Sequence, residues 1–363
     1  MVKKTMRISL IMVLTFIGRS IYAQTESFKN PLKISGYLET YYTYDFGNPF
    51  NNIRPTFVYS FNRHNEVNIN LGFIKAAYET DNVRSNLAFM TGTYANSNLV
   101  NEAGVLKNIF EANVGVKISK TLNLWVDAGV FASHIGFESA IGKDCWNLTR
   151  SILADNSPYY ESGAKISYTS KNEKWFLSGL ILNGWQRINR IDGNSMPAFG
   201  HQITYKPTQK ITLNSSSFVG NTLPDSLKQM RYFHNLYGQF MLNNKLSILV
   251  GFDIGLQQKI KESNNYNSWF SPVIIAKYTP NIKTSIAARG EYYSDENGVI
   301  IPTNTPNGFQ TFGYSLNLDK NIASNIIWRI EGRSFLSKDF IFTNNKKASE
   351  VNYFLTTALA ISF

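Results

Sequence analysis

Four histidines, His64, His134, His201 and His234, are the only side chains in the chain suited to act as a base near neutral pH. His134 follows Ser133 directly, so on a strand the two side chains point to opposite faces and cannot share a proton. The serine run Ser215 to Ser217 has no histidine close to it in sequence, which leaves only neighbours in space. Metal chemistry finds even less: Cys145 is the single cysteine, no two histidines are spaced i, i+2 or i, i+4, and no Asp-rich calcium loop is present. Glu138, Asp144 and Asp155 share one segment and read as solvated loop carboxylates. Phosphate cradles of the Gly-rich, Lys-Ser/Thr kind are missing as well. The expectation is a chain with no enzymatic activity, cofactor or metal.

A different set of polar residues recurs with a two-residue period. Glu111, Lys117, Asp127, Glu161, Lys165, Arg231, Asp253, Lys277, Arg289, Glu291, Arg329, Glu331 and Arg333 each fall on the polar side of a segment whose alternate positions are apolar. Leu246, Ile248, Val250, Phe252 and Ile254, for example, alternate with Ser247, Gly251 and Asp253. Such segments are strands with one face for water and one for an apolar medium. Arg231-Tyr232-Phe233-His234 fits the same pattern, and a barrel wall accounts for it better than a nucleic-acid contact. In a closed wall the charged face is a lumen, where water keeps charge inexpensive; toward lipid each charge would cost about 2 to 4 kcal/mol. Pairing of these charges across a narrow, plugged barrel is the alternative.

The elements that position these residues follow from the rest of the chain. Lys3, Lys4 and Arg7 precede an apolar run from Ile8 to Ile17 and a small residue at Ala23, the pattern of a signal peptide over residues 1–23. Its removal takes four basic residues, the fourth being Arg19, and lowers the formal charge from +11 to +7. No later apolar stretch reaches the roughly 20 residues a membrane helix needs. Aromatics nevertheless make up 14% of the chain and mean hydropathy is −0.20, which suits a wall apolar on one face only. From Leu32 onward, strand-sized segments are separated alternately by short turns, such as Asp81-Asn82 and Lys120-Thr121, and by long polar stretches. The reading is all-β: one domain over residues 24–363, an antiparallel up-and-down transmembrane barrel of about sixteen strands with short periplasmic turns and long external loops. Tyr353, Leu355, Leu359, Ile361 and Phe363 share one face of the last strand, which ends in an aromatic like the signal that bacterial barrel-assembly machinery reads. Phe354 and Ile327 break the polar rows of their strands.

The stretch 136–157, after the fifth strand, is the longest connection and carries Glu138, Lys143, Asp144, Trp146 and Arg150 among apolar residues. It is either a constriction folded into the channel or an external lid or partner contact.

Three regions carry a family resemblance: Ile34-Ser35-Gly36-Tyr37-Leu38-Glu39-Thr40-Tyr41-Tyr42; His134-Ile135-Gly136-Phe137-Glu138 with Asp144-Cys145-Trp146-Asn147 and Thr149-Arg150-Ser151; and Asn183-Gly184-Trp185-Gln186-Arg187. They resemble the OmpL-like beta-barrel porins common in Bacteroidetes-type Gram-negative bacteria, from about Leu32 to Phe363. The resemblance implies a porin-like outer-membrane barrel of unestablished substrate. The expected function is passive diffusion of small polar solutes or ions. Expected partners are outer-membrane lipid and lipopolysaccharide, the barrel-assembly machinery and, in a homotrimer, further copies of the chain; nucleic acid is not among them. A plugged structural barrel that binds a partner through its loops is the rival.

Overall fold

Sixteen strands, each antiparallel to both neighbours, close into one sheet in which the first strand pairs with the last. The computed structural model describes residues 30–363; the signal peptide read at residues 1–23 lies outside them. The strands are β1 (Leu32–Asp45), β2 (Val67–Glu79), β3 (Val83–Thr91), β4 (Ile109–Lys117), β5 (Asn123–Ala132), β6 (Tyr160–Thr169), β7 (Trp175–Leu182) and β8 (Ala198–Thr208). They continue with β9 (Ile211–Asn221), β10 (Met230–Met241), β11 (Leu246–Gln258), β12 (Tyr266–Asn281), β13 (Thr284–Asp295), β14 (Phe309–Ala323), β15 (Ile326–Ser337) and β16 (Val351–Ser362). A small hairpin, Phe342–Asn344 with Lys347–Ser349, sits in the last long loop. β14 continues to Ala323 through a register shift against β15, and the chain reverses at 324–325.

Alternation decides the faces. In β11, Val250, Phe252, Ile254 and Leu256 are exposed on the outside while Leu249, Gly251, Asp253 and Gly255 are buried inside. In β14, Phe312, Tyr314, Leu316 and Leu318 alternate with Thr311, Gly313, Ser315, Asn317 and Asp319. A one-residue slip would turn every charge outward, so the apolar band fixes register. The seam follows the same rule: Thr40 opposes Leu359 and Tyr44 opposes Leu355, while Gly36 exchanges backbone hydrogen bonds with Phe363 at 2.7 and 3.0 Å. The two residues that break the sequence pattern have a packing reason. Phe354 points inward under Arg54 of an inserted loop, and Ile327 points inward against a buried apolar cluster that includes Ala140 and Leu153 of the loop after β5.

Two glycines allow a sharp local approach. Gly129 of β5 and Gly163 of β6 are cross-strand partners with φ of 124° and 155°, and a side chain on either would run into a neighbouring backbone carbonyl, that of Ala112 or Ile181. L-residues reach this region only with strain of about 1–3 kcal/mol. We therefore expect Gly129→Val to lower the folded fraction and the temperature of the heat-induced gel-mobility shift, with Val114→Ile on the exposed face of β4 as a neutral control.

Candidate functional site

The lumen owes its shape to the loop 133–159, which leaves β5 and turns into the barrel. Arg329 on β15 donates to the carbonyls of Gly142 (2.5 Å), Cys145 (3.0 Å) and Trp146 (3.3 Å) while holding Asp319 at 2.7 Å. Arg333 donates to the carbonyl of Arg150 (2.6 Å) and Arg289 to that of Thr149 (2.7 Å). Acceptors on the wall take the loop amides: Glu331 from Thr149 (2.6 Å), Glu291 from Ile152 (2.6 Å) and Asn317 from Leu148 (3.1 Å). Arg289 bridges Glu291 at 3.2 Å and Glu331 at 3.0 Å, and Arg333 reaches Glu291 at 2.5 Å. Five charged residues of β13 and β15 are thus enclosed between wall and loop. Each buried charge is offset by an opposite charge and by loop backbone, which makes the enclosure tolerable.

Within the loop, Arg150 donates to the carbonyls of Leu148 (2.6 Å), Ser139 (2.7 Å) and Ala140 (3.0 Å), and Glu138 accepts from the Ser151 amide (2.9 Å) and hydroxyl. Ser151 also caps the short helix Ile152–Asp155. Lys143 and Asp144 form an exposed pair, and Trp146 faces Lys277 of β12, whose Nζ lies 6.0 Å from the ring centroid. Burial pushes the Cys145 thiol up to about 11, so this cysteine is a small packed residue rather than a nucleophile.

Two further loops enter the mouth. From 46–66, Phe57 packs on Phe309 and Phe335 at 4.7 and 5.3 Å, Arg54 stacks on Phe354 at 3.5 Å, and Ser60 donates to Asp155 (3.0 Å). From 92–108, Glu102 accepts from Tyr160 (3.3 Å) and from the amide of Ile188 (2.9 Å). Sequence reading did not foresee either insertion. Phe57-Val58 amid polar residues is the one signal that could have suggested the first.

The charged residues read as lumen-lining therefore divide. Arg289, Glu291, Arg329, Glu331 and Arg333 lie beneath the loop. Arg231 is sandwiched by Trp185 and Trp269 at 5.0 and 5.5 Å and donates to Gln257, Asp253 accepts from Asn235, and Glu161 is wholly buried. Glu111, Lys117, Lys165 and Lys277 remain partly exposed to the interior space. Lys75 pairs with Glu111 at 2.6 Å, and Arg84 with Asp127 at 2.5 Å. Lys117, Lys165 and Lys277 have no ion-pair partner among the described residues. A cavity of about 380 Å³ opens at the mouth beside Asn98, Asn156, Gln186 and Arg231. Another of about 270 Å³ lies between the inserted loop and β3 to β5, lined by Glu111, Phe137, Tyr160 and Tyr237. Tyr237 also lines a third, of about 600 Å³, toward the periplasmic turns with Lys174, Lys206 and Gln239. Phe137 of the loop meets Tyr237 edge-on at 5.7 Å, so this aromatic pair stands between the two inner spaces.

His134 donates from Nε2 to the Ser217 carbonyl (2.8 Å) and anchors the start of the loop; burial pushes its imidazole down to about 4, so it is neutral. His201 and His234 do approach Ser217 and Ser215, but on the outer face of the wall, where no carboxylate among the described residues bonds to either imidazole.

A family model described as "Putative beta-barrel porin-2, OmpL-like" matches residues 31–363. Among solved structures, the chain is similar to the trimer form of in-vitro folded OmpT of Vibrio cholerae, with 10% identity, 92% of this chain and 99% of that one covered, and a TM-score of 0.58. It is also similar to the anion-selective porin from Comamonas acidovorans (8%, 92% and 99%, TM-score 0.60). The outer membrane channel DcaP of Acinetobacter baumannii compares in the same way (10%, 92% and 97%, TM-score 0.58). At such identities these likenesses establish the fold. No curated protein matches the chain.

The loop attachment yields two expectations. Arg329→Met leaves Asp319 enclosed without its cation, a loss of about 3–5 kcal/mol; denaturant titration is expected to show lower stability, and single-channel records should show larger and noisier current. Burial pushes the Asp155 carboxyl up to about 6, against the pull of Arg333 and the hydrogen bond from Ser60. Because the folded state favours the protonated form, its hold on the loop is complete below the ordinary carboxylate range and is lost as pH rises through about 6. Conductance is expected to rise between pH 5 and pH 7.5, and Asp155→Asn should flatten that rise.

Proposed function

The chain belongs to this OmpL-like porin family and is a porin of the bacterial outer membrane, and we propose that small polar solutes cross it passively along the side of the lumen left free by the loop 133–159. The carrying observation is where that loop is attached. Its backbone is fastened chiefly to β13, β14 and β15, with further bonds to Tyr37 of β1, Ser216 of β9 and Asn235 of β10, while the spaces beside β3 to β5 and toward the periplasmic turns stay open. The loop acts as the constriction, with Phe137 and Tyr237 at its narrowest aromatic contact. No catalysis and no energy input are part of this reading.

Solute charge follows from which groups water can reach. The interior carboxylates Glu111, Asp127 and Asp319 each carry a paired cation, whereas Lys117, Lys165 and Lys277 are partly exposed and unpaired among the described residues. Unpaired cations in a narrow, low-dielectric passage raise the local concentration of anions. The preferred solutes are small anions. Outer-membrane lipid and lipopolysaccharide surround the wall, the assembly machinery reads the strand ending at Phe363, and the working unit is a homotrimer.

A second reading, a closed barrel acting through its external loops, is favoured by one observation: three loops, 46–66, 92–108 and 133–159, all pack inward. Planar-bilayer recording separates the two. Stepwise conductance with a reversal potential favouring chloride is expected. Lys165→Glu with Lys277→Glu should move that potential toward cation preference by tens of millivolts, and Tyr237→Ala should enlarge the step. Silence from a folded, inserted barrel, together with no swelling of sugar-loaded liposomes, would leave the closed reading standing.

A further inference from the structure

The outer wall of β8, β9 and β10 carries a polar island in the middle of its apolar face. His201, Ser217 and His234 are direct cross-strand neighbours on three consecutive strands. Ser217 Oγ lies 2.5 Å from His201 Nδ1, Ser215 Oγ lies 3.2 Å from His234 Nε2, and the two imidazole centroids are 5.9 Å apart. Around them, Phe199, Ile203, Leu213, Tyr232 and Leu236 point outward and are exposed. Each imidazole keeps a second ring nitrogen, His201 Nε2 and His234 Nδ1, that has no hydrogen-bond partner among the described residues. Hydrocarbon offers such a nitrogen nothing, at a cost of several kcal/mol per unmet group.

A second observation concerns the aromatic girdle. On β10 to β14 the outward aromatics form a ladder: Tyr232 with Tyr266 at 6.0 Å, Phe252 with Phe270 at 6.4 Å, Phe270 with Tyr292 at 6.0 Å and Tyr292 with Phe312 at 4.4 Å. That is the face a barrel presents to a lipid interface. Beside the island the outward faces of β5, β6 and β7 include three small residues, Ala128, Ala164 and Gly179, set among the larger Ile166, Leu177 and Ile181, with Ala128 opposite Ala164 and Gly179 opposite His201. Small residues let two rigid walls approach closely where lipid would leave gaps.

We infer that the wall from β5 to β10 is covered by a second copy of this chain, with the His/Ser island near the symmetry axis. Neutral imidazole and hydroxyl each supply both a donor and an acceptor, so the island is complementary to its own copy and can satisfy the free nitrogens. A closed ring of two or three copies brings like residues together beside its axis. The alanine and glycine positions provide the close approach, and the aromatic ladder from Phe252 to Phe312 is left to the lipid.

The test uses the full-length mature barrel in native outer membranes. Ser217→Cys, in a Cys145→Ser background, is treated with a short bifunctional maleimide, with Ala164→Cys as a second position. A cross-linked product with the mass of two copies is expected from one or both. His201→Leu with His234→Leu should convert the native assembly to monomer on mass measurement, while the heat-induced mobility shift reports a folded barrel. Two results would overturn the inference: cross-linking to a different protein, or monomers in which the thiol introduced in place of Ser217 is labelled freely by a membrane-soluble maleimide. Conductance is read separately, so loss of assembly and loss of transport are distinguishable.

Discussion

The enclosed arginine and carboxylate network on β13, β14 and β15 is the interaction on which the interior depends. A bare barrel of this width has a lumen too large for selection. Here Arg289, Arg329 and Arg333 reach across to loop carbonyls while Glu291, Glu331 and Asn317 accept loop amides. Guanidinium groups suit this task because one planar fork can serve a carboxylate and a carbonyl together. The network replaces water along one side of the channel and so decides where water remains.

That asymmetry organises the rest. Away from the network the wall is not bare: Ser216 and Asn235 hold the start of the loop, and Asp127 and Glu161 are buried. Charges beneath the loop are neutralised in pairs, whereas the lysines of β4, β6 and β12 are not. In the proposed reading, a nearly balanced count of charge along the lumen-facing rows becomes an unbalanced field in the passage. Position relative to the loop, rather than composition, sets the sign.

The barrel itself was legible because its rule is local. Period-two alternation and the switch between short and long connections depend on neighbours a few residues apart, and β11 and β16 show them openly. The loop was legible only as long and partly apolar. Its insertion depends on Arg329 meeting Gly142 and Cys145, contacts between residues far apart in the chain, and no periodicity encodes such pairs. Phe354 and Ile327 were the visible trace: apolar residues on a polar row mark where the interior is filled by protein. Ser215 to Ser217 and the histidines could not be joined in sequence because His201 and His234 lie on the strands to either side, and their outward direction follows only from strand register. Which parts of the interior are lined by water and which by protein is set by the three mouth insertions, and a strand pattern alone cannot express that difference.

Arg150 adds a separate consequence. Its three hydrogen bonds all end on carbonyls of its own loop, so the loop holds a shape without help from the wall. If the loop is the constriction, as proposed, it is a preformed part seated in a socket, and the two can vary independently. Substitutions along the open side could retune what passes, generation after generation, without disturbing the piece that makes the passage narrow.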